Sequence, residues 1–281
     1  RILSRHQDNP RYWNADAQGG QGDWTDEGRA YLAILDGLTG VRRDRLRDGR
    51  WVAAEGMVYA DAWSRERNVV PRERVEKRNP ETGRWEMPRE WPRYLSIDFG
   101  FTHPFVCLWW AQDPDGRLWC YRELYRTQRL VEDHAREIKA LSRWGDPKSG
   151  EPYPRAIICD HDAEGRSTLE RHLGLMTIPA HKQVREGIQA VAARLKPAGD
   201  GLPRLFFLEN SLVEADPLLR EQRRPASVLE EFESYVWAKS ADGSAKEEPV
   251  KDFDHGLDST RYACAFFDLV GGFATRGPKL F

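Results

Sequence analysis

Cysteine is scarce, long apolar runs are missing and neither sign of charge dominates; each shortage removes a class of protein. The four cysteines, Cys107, Cys120, Cys159 and Cys264, show no C-x-x-C spacing and sit among apolar neighbours. Neither a disulfide framework nor a cysteine zinc site is expected, and the thiols are predicted to be reduced core residues of a cytosolic protein. No apolar stretch approaches the roughly 18 residues needed to cross a bilayer, and no signal peptide opens the chain. No membrane association is expected. Lys and Arg number 43 against 45 Asp and Glu, a formal net charge of -2, so no global positive field draws the chain to nucleic acid. A near-neutral sum still leaves room for a basic face, and the cations are mostly arginine, which suits bidentate contacts to phosphate or carboxylate. An initiator methionine is also missing: the chain begins at Arg1, and an excised or processed piece of something longer is expected.

What is present is ample material for a core, 281 residues of which 40% are hydrophobic and 31% charged. Thr25 is a good N-cap with Asp26 and Glu27 behind it, and Tyr31, Leu32, Ile34, Leu35 and Leu38 fall at helical spacing before Leu38-Thr39-Gly40 stops the helix. A short strand is predicted over Trp51–Tyr59. From Asp61 to Pro92 the chain is charged and proline-punctuated, with NPETG as a turn signal, and is expected to be a linker carrying one β-hairpin. A domain boundary is placed there.

Beyond Pro92 the pattern becomes regular. Strands are predicted at Tyr94–Asp98, Phe105–Ala111 and Arg117–Tyr125, the last two joined by the tight turn DPDG, as an antiparallel meander. A helix over Leu130–Leu141 follows, then strand Ala156–Cys159, helix Gly165–Leu173, strand Met176–Pro179, helix Val184–Leu195, strand Leu205–Leu208 and a short helix at Pro217–Arg223. Val228–Ala238 is expected to be a strand, KSADGSAKEEP a solvated loop and His255–Leu269 a closing helix. The order implies an α/β mixed sheet with helices on its faces, and ligands of such sheets gather at the carboxyl ends of strands.

Asp98 ends an apolar strand in RYLSIDFGFT, where an ionised carboxylate is costly unless paired, hydrogen-bonded or bound to a cation. Asp160 ends a second apolar strand, and Asp258 stands in the first turn of the last helix. Two like charges about 4 Å apart repel by roughly 4 kcal/mol at an effective dielectric near 20, so a cluster of three acids calls for compensation. A hard divalent cation supplies it, magnesium or manganese rather than zinc, and two such ions would support phosphodiester hydrolysis. Each acid has a plainer role open to it. Asp98 suits a turn, Asp160 or Asp162 the N-cap of the following helix, and Asp258 a helix N-terminus; Asp254 suits a cap better than a metal, and His255 either a cap or an auxiliary ligand or base. Lys182 and Arg185, at a strand-to-helix junction, and the cluster Arg220, Arg223 and Arg224 are candidate phosphate contacts or merely solvated cations. Trp109, Trp110 and Trp119 are expected in the core or linker packing rather than as base-stacking platforms.

The segments IDFGFTHPFVCLWW, ICDHDAEGRSTLERHL, AHKQVREGIQAVAARL and DHGLDSTRYACA resemble the nuclease domain of the large terminase subunit of tailed bacteriophages. The resemblance runs from Arg93 to about Gly271; upstream, RHQDNPRYW, GRAYLAILDGLTG, RDGRW and EGMVY are similar to the end of that subunit's packaging ATPase domain and its linker. It implies an ATPase tail over residues 1–60, a linker over 61–92 and a ribonuclease-H-like nuclease domain over 93–281. It further implies that Asp98, Asp160 and Asp258 are the catalytic acids and bind two magnesium or manganese ions to cut concatemeric double-stranded DNA. Portal protein and small terminase subunit are the implied partners, and the host bacterial cytoplasm the implied location. The family's last motif often has alanine and leucine after the aspartate, where this chain has Ser259 and Thr260. The full-length family also carries a Walker loop, whose Gly-Lys pair occurs nowhere in this chain; no ATPase is expected. Two other functions fit the same residues: a catalytically silent DNA- and portal-docking module, and another nuclease of the same superfold such as a junction resolvase.

Overall fold

Thr25 caps its helix as its sequence position suggests: its hydroxyl accepts the Gly28 N–H at 3.0 Å and donates to the Arg11 carbonyl at 2.7 Å. The helix, α1 (Asp26–Asp36), follows two short antiparallel strands, β1 (Trp13–Asn14) and β2 (Asp23–Trp24). These belong to the first of two compact units, Arg1–Ala60 and Asp61–Phe281. The computed structural model describes residues 6–17, 21–36, 56–148, 150–239 and 245–271. The expected helix stop at 38–40 and most of the strand expected over 51–59 lie outside them; residues 56–60 form turns and one isolated bridge.

In the second unit, residues 61–92 do not run as a free linker. The short helix α2 (Arg65–Asn68) leads into β3 (Val69–Val70), which joins the main sheet in parallel beside β11 (Leu205–Leu208). Asn68, fully buried, donates its side-chain amide to the carbonyls of Leu195 (3.0 Å) and Leu205 (3.2 Å). The expected hairpin is there: β4 (Lys77–Arg78) pairs antiparallel with β5 (Trp85–Glu86), and the Asn79 side chain accepts the N–H groups of Glu81 and Thr82 to form the turn.

Seven strands make the main sheet, in the order β10 (Ile178–Pro179), β9 (Ala156–Cys159), β6 (Arg93–Asp98), β7 (Phe105–Gln112), β8 (Leu118–Arg126), β11 and β3. Only β7 is antiparallel to its neighbours. The first long strand is thus central, with its hairpin partners on one side and two crossover strands on the other, the ribonuclease-H-like arrangement of a mixed α/β sheet. Side chains of β6 alternate between faces. Leu95 and Ile97 join the cluster that includes Ala135 and Ile138 of α3 (Val131–Ser142) and Leu169 and Leu173 of α4 (Ala163–Leu173). Tyr94, Ser96 and Asp98 face the other way, toward α8 (His255–Asp268), which packs beside α5 (Val184–Leu195). Trp109, Trp110 and Trp119 are core residues, and all four cysteines are buried and free. No described helix is long and apolar enough to cross a membrane.

Two expectations fail between α6 (Pro217–Glu221) and α8. Val228–Ala238 is not one strand: Val228–Phe232 is helix α7, begun by Ser227, whose hydroxyl accepts the Glu230 N–H, and only Trp237–Lys239 is strand (β12). The β-branched and aromatic residues suggested extended chain. Helical spacing instead lets Val228 and Phe232 bury together, with Phe232 stacked 4.0 Å from the Trp63 ring. The segment expected as a solvated loop contains β13 (Ala245–Pro249), which pairs antiparallel with β12.

Candidate functional site

β6 is buried along its whole length and ends in Asp98. The residue after β9 is Asp160, whose N–H donates to the Ile97 carbonyl at 3.1 Å and so carries the parallel pairing of the two strands one step further. Asp98 and Asp160 therefore stand at the carboxyl ends of adjacent strands, where open α/β sheets bind ligands. Asp258, in the first turn of α8, faces them from the helix that runs along the Tyr94–Ser96–Asp98 face. All three line one open cavity of about 690 Å³, together with Lys182, Lys251 and Arg261.

Each carboxylate has a distinct set of partners. Asp98, 6% exposed, accepts the Tyr262 hydroxyl on Oδ1 (2.9 Å) and meets His255 Nδ1 on Oδ2 (2.9 Å). Burial raises the Asp98 carboxyl above its ordinary range; the His255 bond opposes the rise and the charge of Asp258 adds to it. Burial disfavours the His255 imidazolium, yet the hydrogen bond and charge of Asp98, with Asp254 and Asp258 beyond, outweigh it and hold that histidine above its usual value. Asp258 Oδ1 accepts two bonds from Arg261, from Nε at 3.1 Å and Nη2 at 3.0 Å. Asp160 Oδ1 accepts the next residue's N–H, that of His161, at 2.6 Å.

The neighbouring candidates separate by position. Asp162 caps α4 by accepting the Glu164 N–H (3.1 Å) and is not part of the cavity lining, whereas Asp160 is. Asp254 does not cap α8 with its side chain; it lines the cavity, and burial followed by the charge of Asp258 pushes its carboxyl up to about 6. The cap comes instead from Glu231 of α7, fully buried, which accepts the N–H groups of Gly256 (3.0 Å) and Leu257 (2.8 Å) and the Tyr125 hydroxyl (2.5 Å). Gly256 admits it: a Cβ there would lie 3.0 Å from Glu231 Oε2 and 2.9 Å from Val228 Cβ. Lys182 is exposed at the cavity, while Arg185, also exposed, is not among its lining residues. Arg220 pairs with Glu230 at 2.7 Å and Arg224 lies over the Phe253 ring at 5.3 Å.

Sequence reasoning missed Glu231, Arg261 and Tyr262. The last two carried a usable signal, since they stand three and four residues after Asp258 and so share its helix face. The departure at Ser259 and Thr260 has a structural account. Ser259 Oγ donates to the Ser96 carbonyl (2.9 Å) and meets Ser96 Oγ (2.8 Å), which also accepts the Trp110 indole (2.8 Å), and Thr260 Oγ1 donates to the Gly256 carbonyl (2.8 Å). Ser259 thus fastens α8 to β6 two residues before Asp98 and one after Asp258.

No protein-family profile and no curated protein sequence matches the chain. Solved structures do. The large terminase of a thermophilic bacteriophage, in complex with ADP, is 22% identical, with a TM-score of 0.54 over 88% of this chain and 53% of that one. The fold is that of a phage large terminase. The same terminase in complex with ATP-gamma-S gives 23% identity and a TM-score of 0.52 over 86% of this chain and 52% of that chain. The chain spans about half the length of these terminase structures. A weaker likeness, TM-score 0.43 at 18% identity, covers 61% of this chain and 84% of the large terminase nuclease domain of bacteriophage SPP1 with bound Mn.

On this terminase fold the donor chemistry of the cavity suits a hard divalent ion: Asp98, Asp160 and Asp258 offer only oxygen, and Asp98 is a buried acid whose charge Asp258 opposes. Among the described residues, however, no three His, Cys, Asp or Glu side chains are gathered tightly enough to hold a metal ion. Asp98 is engaged by His255 and Tyr262 and Asp258 by Arg261, while Asp160 accepts the His161 backbone N–H.

Proposed function

We propose that this chain carries the metal-dependent endonuclease of a phage DNA-packaging terminase, cutting concatemeric double-stranded DNA. The observation that supports it best is Asp98: a buried carboxylate at the end of the central strand, sharing one cavity with Asp160 and Asp258. Asp98, Asp160 and Asp258 would hold magnesium or manganese, two ions in the full site, once their side chains draw closer than they stand here. When bound, such ions neutralise phosphate charge and bring the pKa of a coordinated water toward neutrality.

The chain's own residues prepare the rest. Tyr262 and His255 fix the orientation of Asp98 from α8. The carboxylates around it favour the charged form of His255, whose Nδ1 then donates to Asp98. Lys182 and Lys251, at the cavity, offer positive charge to a phosphate backbone, and Arg185 on the neighbouring turn extends that contact outward. Residues 1–60 fit the tail of the packaging ATPase domain, and 93–281 the nuclease domain. Portal protein and small terminase subunit would be the partners of the whole assembly in the host cytoplasm.

A second reading has a specific observation behind it. Arg261 and His255 already neutralise two of the acids, which fits a catalytically silent DNA- and portal-docking module. Incubation of plasmid DNA with the protein and a manganese or magnesium series separates the two. The nuclease cuts only with divalent ion and stops on chelation, whereas a silent module leaves the plasmid intact at every concentration.

A further inference from the structure

We propose that Arg261 is a built-in counter-cation that competes with divalent metal for Asp258 and holds the site closed to metal until it is displaced. The inference rests on the nuclease reading above. Both guanidinium contacts, from Nε and Nη2, fall on the single oxygen Asp258 Oδ1, while Nη1 donates to the His181 carbonyl at 3.4 Å. The guanidinium carbon lies 4.9 Å from the Tyr262 ring centre, and the Arg261 side chain is only 5% exposed. A guanidinium is charged at every accessible pH, so proton loss cannot release Asp258.

The slot that holds Arg261 is formed by a glycine on the facing helix. A Cβ at Gly187 of α5 would stand 2.3 Å from Arg261 Cγ and 2.6 Å from Cδ, so any side chain there would push the arginine stem off its path. The arrangement is thus specific to this rotamer and this oxygen, not a loose surface pair. Metal ligation by Asp258 Oδ1 needs the lone pairs that Arg261 occupies, and the guanidinium charge beside them opposes a cation at either carboxylate oxygen. Once displaced, the guanidinium remains at the cavity wall with its donors free for a phosphate. Arg261 would act as a positioning residue, coupling arrival of metal to arrival of the DNA backbone.

The test is manganese binding by the full chain without DNA, read from the free Mn²⁺ paramagnetic resonance signal, for the wild type, Arg261→Gln, Arg261→Lys and Gly187→Ala, with Asp258→Asn as the control that loses the ion. Circular dichroism checks each fold. Arg261→Gln should bind Mn²⁺ about tenfold more tightly than the wild type, the scale of one charge-assisted contact. Arg261→Lys, which keeps the charge but not the paired donors, should fall between, and Gly187→Ala, which keeps the guanidinium but displaces it, should also bind more tightly. Unchanged or weaker binding by Arg261→Gln would overturn the competition. So would tighter binding by Arg261→Gln with Gly187→Ala and Arg261→Lys at the wild-type value, since that pattern reports the charge alone. Absence of binding in every variant and in the wild type would overturn the metal reading itself.

Discussion

Replacing Glu231 with glutamine exchanges one oxygen for an amide nitrogen and keeps the shape of the side chain. In the folded protein one carboxylate oxygen accepts the Tyr125 hydroxyl and the Gly256 N–H, and the other accepts the Leu257 N–H. Whichever way the glutamine amide is turned, its NH₂ faces one of the two backbone N–H groups, and that donor loses its partner at a site that water does not reach. Leaving a buried donor unsatisfied costs about 1–3 kcal/mol. For a unit of this size each kcal/mol shifts the midpoint by about 2–4 °C, so Glu231→Gln should lower Tm by about 2–12 °C. Because the lost contact is at the start of α8, in the same turn as Asp258, DNA cleavage should fall with it even at temperatures where the variant is fully folded. Thermal unfolding followed by circular dichroism reads the first effect. A Tm within about 1 °C of the wild type, as judged against the lower end of that range, would refute the role given to Glu231 as the cap of the last helix.

Stability should also depend on pH in two overlapping windows. Burial pushes the Glu123 carboxyl up to about 8, with the Val228 N–H on one oxygen and, among the described residues, no partner on the other. The folded state therefore keeps a proton that the unfolded chain releases near 4.5; this contribution is complete at low pH and is lost as pH rises through about 8. Burial lowers His134 to about 4 with neither ring nitrogen bonded among the described residues, so its contribution is present above 6.5 and is lost as pH falls toward 4. Between 4.5 and 6.5 the two contributions change in opposite directions, so Tm should fall as pH rises from 6.5 to about 8, and Glu123→Gln should abolish that fall. Ser259→Ala breaks the link from α8 to Ser96 and Trp110 and should cost about 1–2 kcal/mol, read as a lowered denaturant midpoint with unchanged slope.

The strands that carry the acids were legible because their residues are largely apolar and are followed or closed abruptly by aspartate. Ala156–Cys159 and Val184–Leu195 have in the structure the bounds that the sequence pattern predicts. The distinction between Asp160 and Asp162 was not legible, since both are polar residues before a helix. It depends on the bond from the Asp160 N–H to Ile97, which exists only once β9 lies beside β6. Glu231 was hidden for a related reason. A strand over Val228–Ala238 gives that acid no partner, and its three bonds come from Tyr125, Gly256 and Leu257, all far from it in sequence. Val69–Val70 is only two residues long and shows no period; its place at the sheet edge is set by Asn68 holding two distant carbonyls.

In the proposed nuclease, the joint action of Asp98, Asp160 and Asp258 cuts DNA. It is tested most directly by manganese-dependent plasmid cleavage with Asp98→Asn, Asp160→Asn and Asp258→Asn, each shown by circular dichroism to be folded. Each single change should abolish cutting while Asp162→Asn retains it; undiminished cutting by Asp98→Asn would remove this acid from the catalytic set.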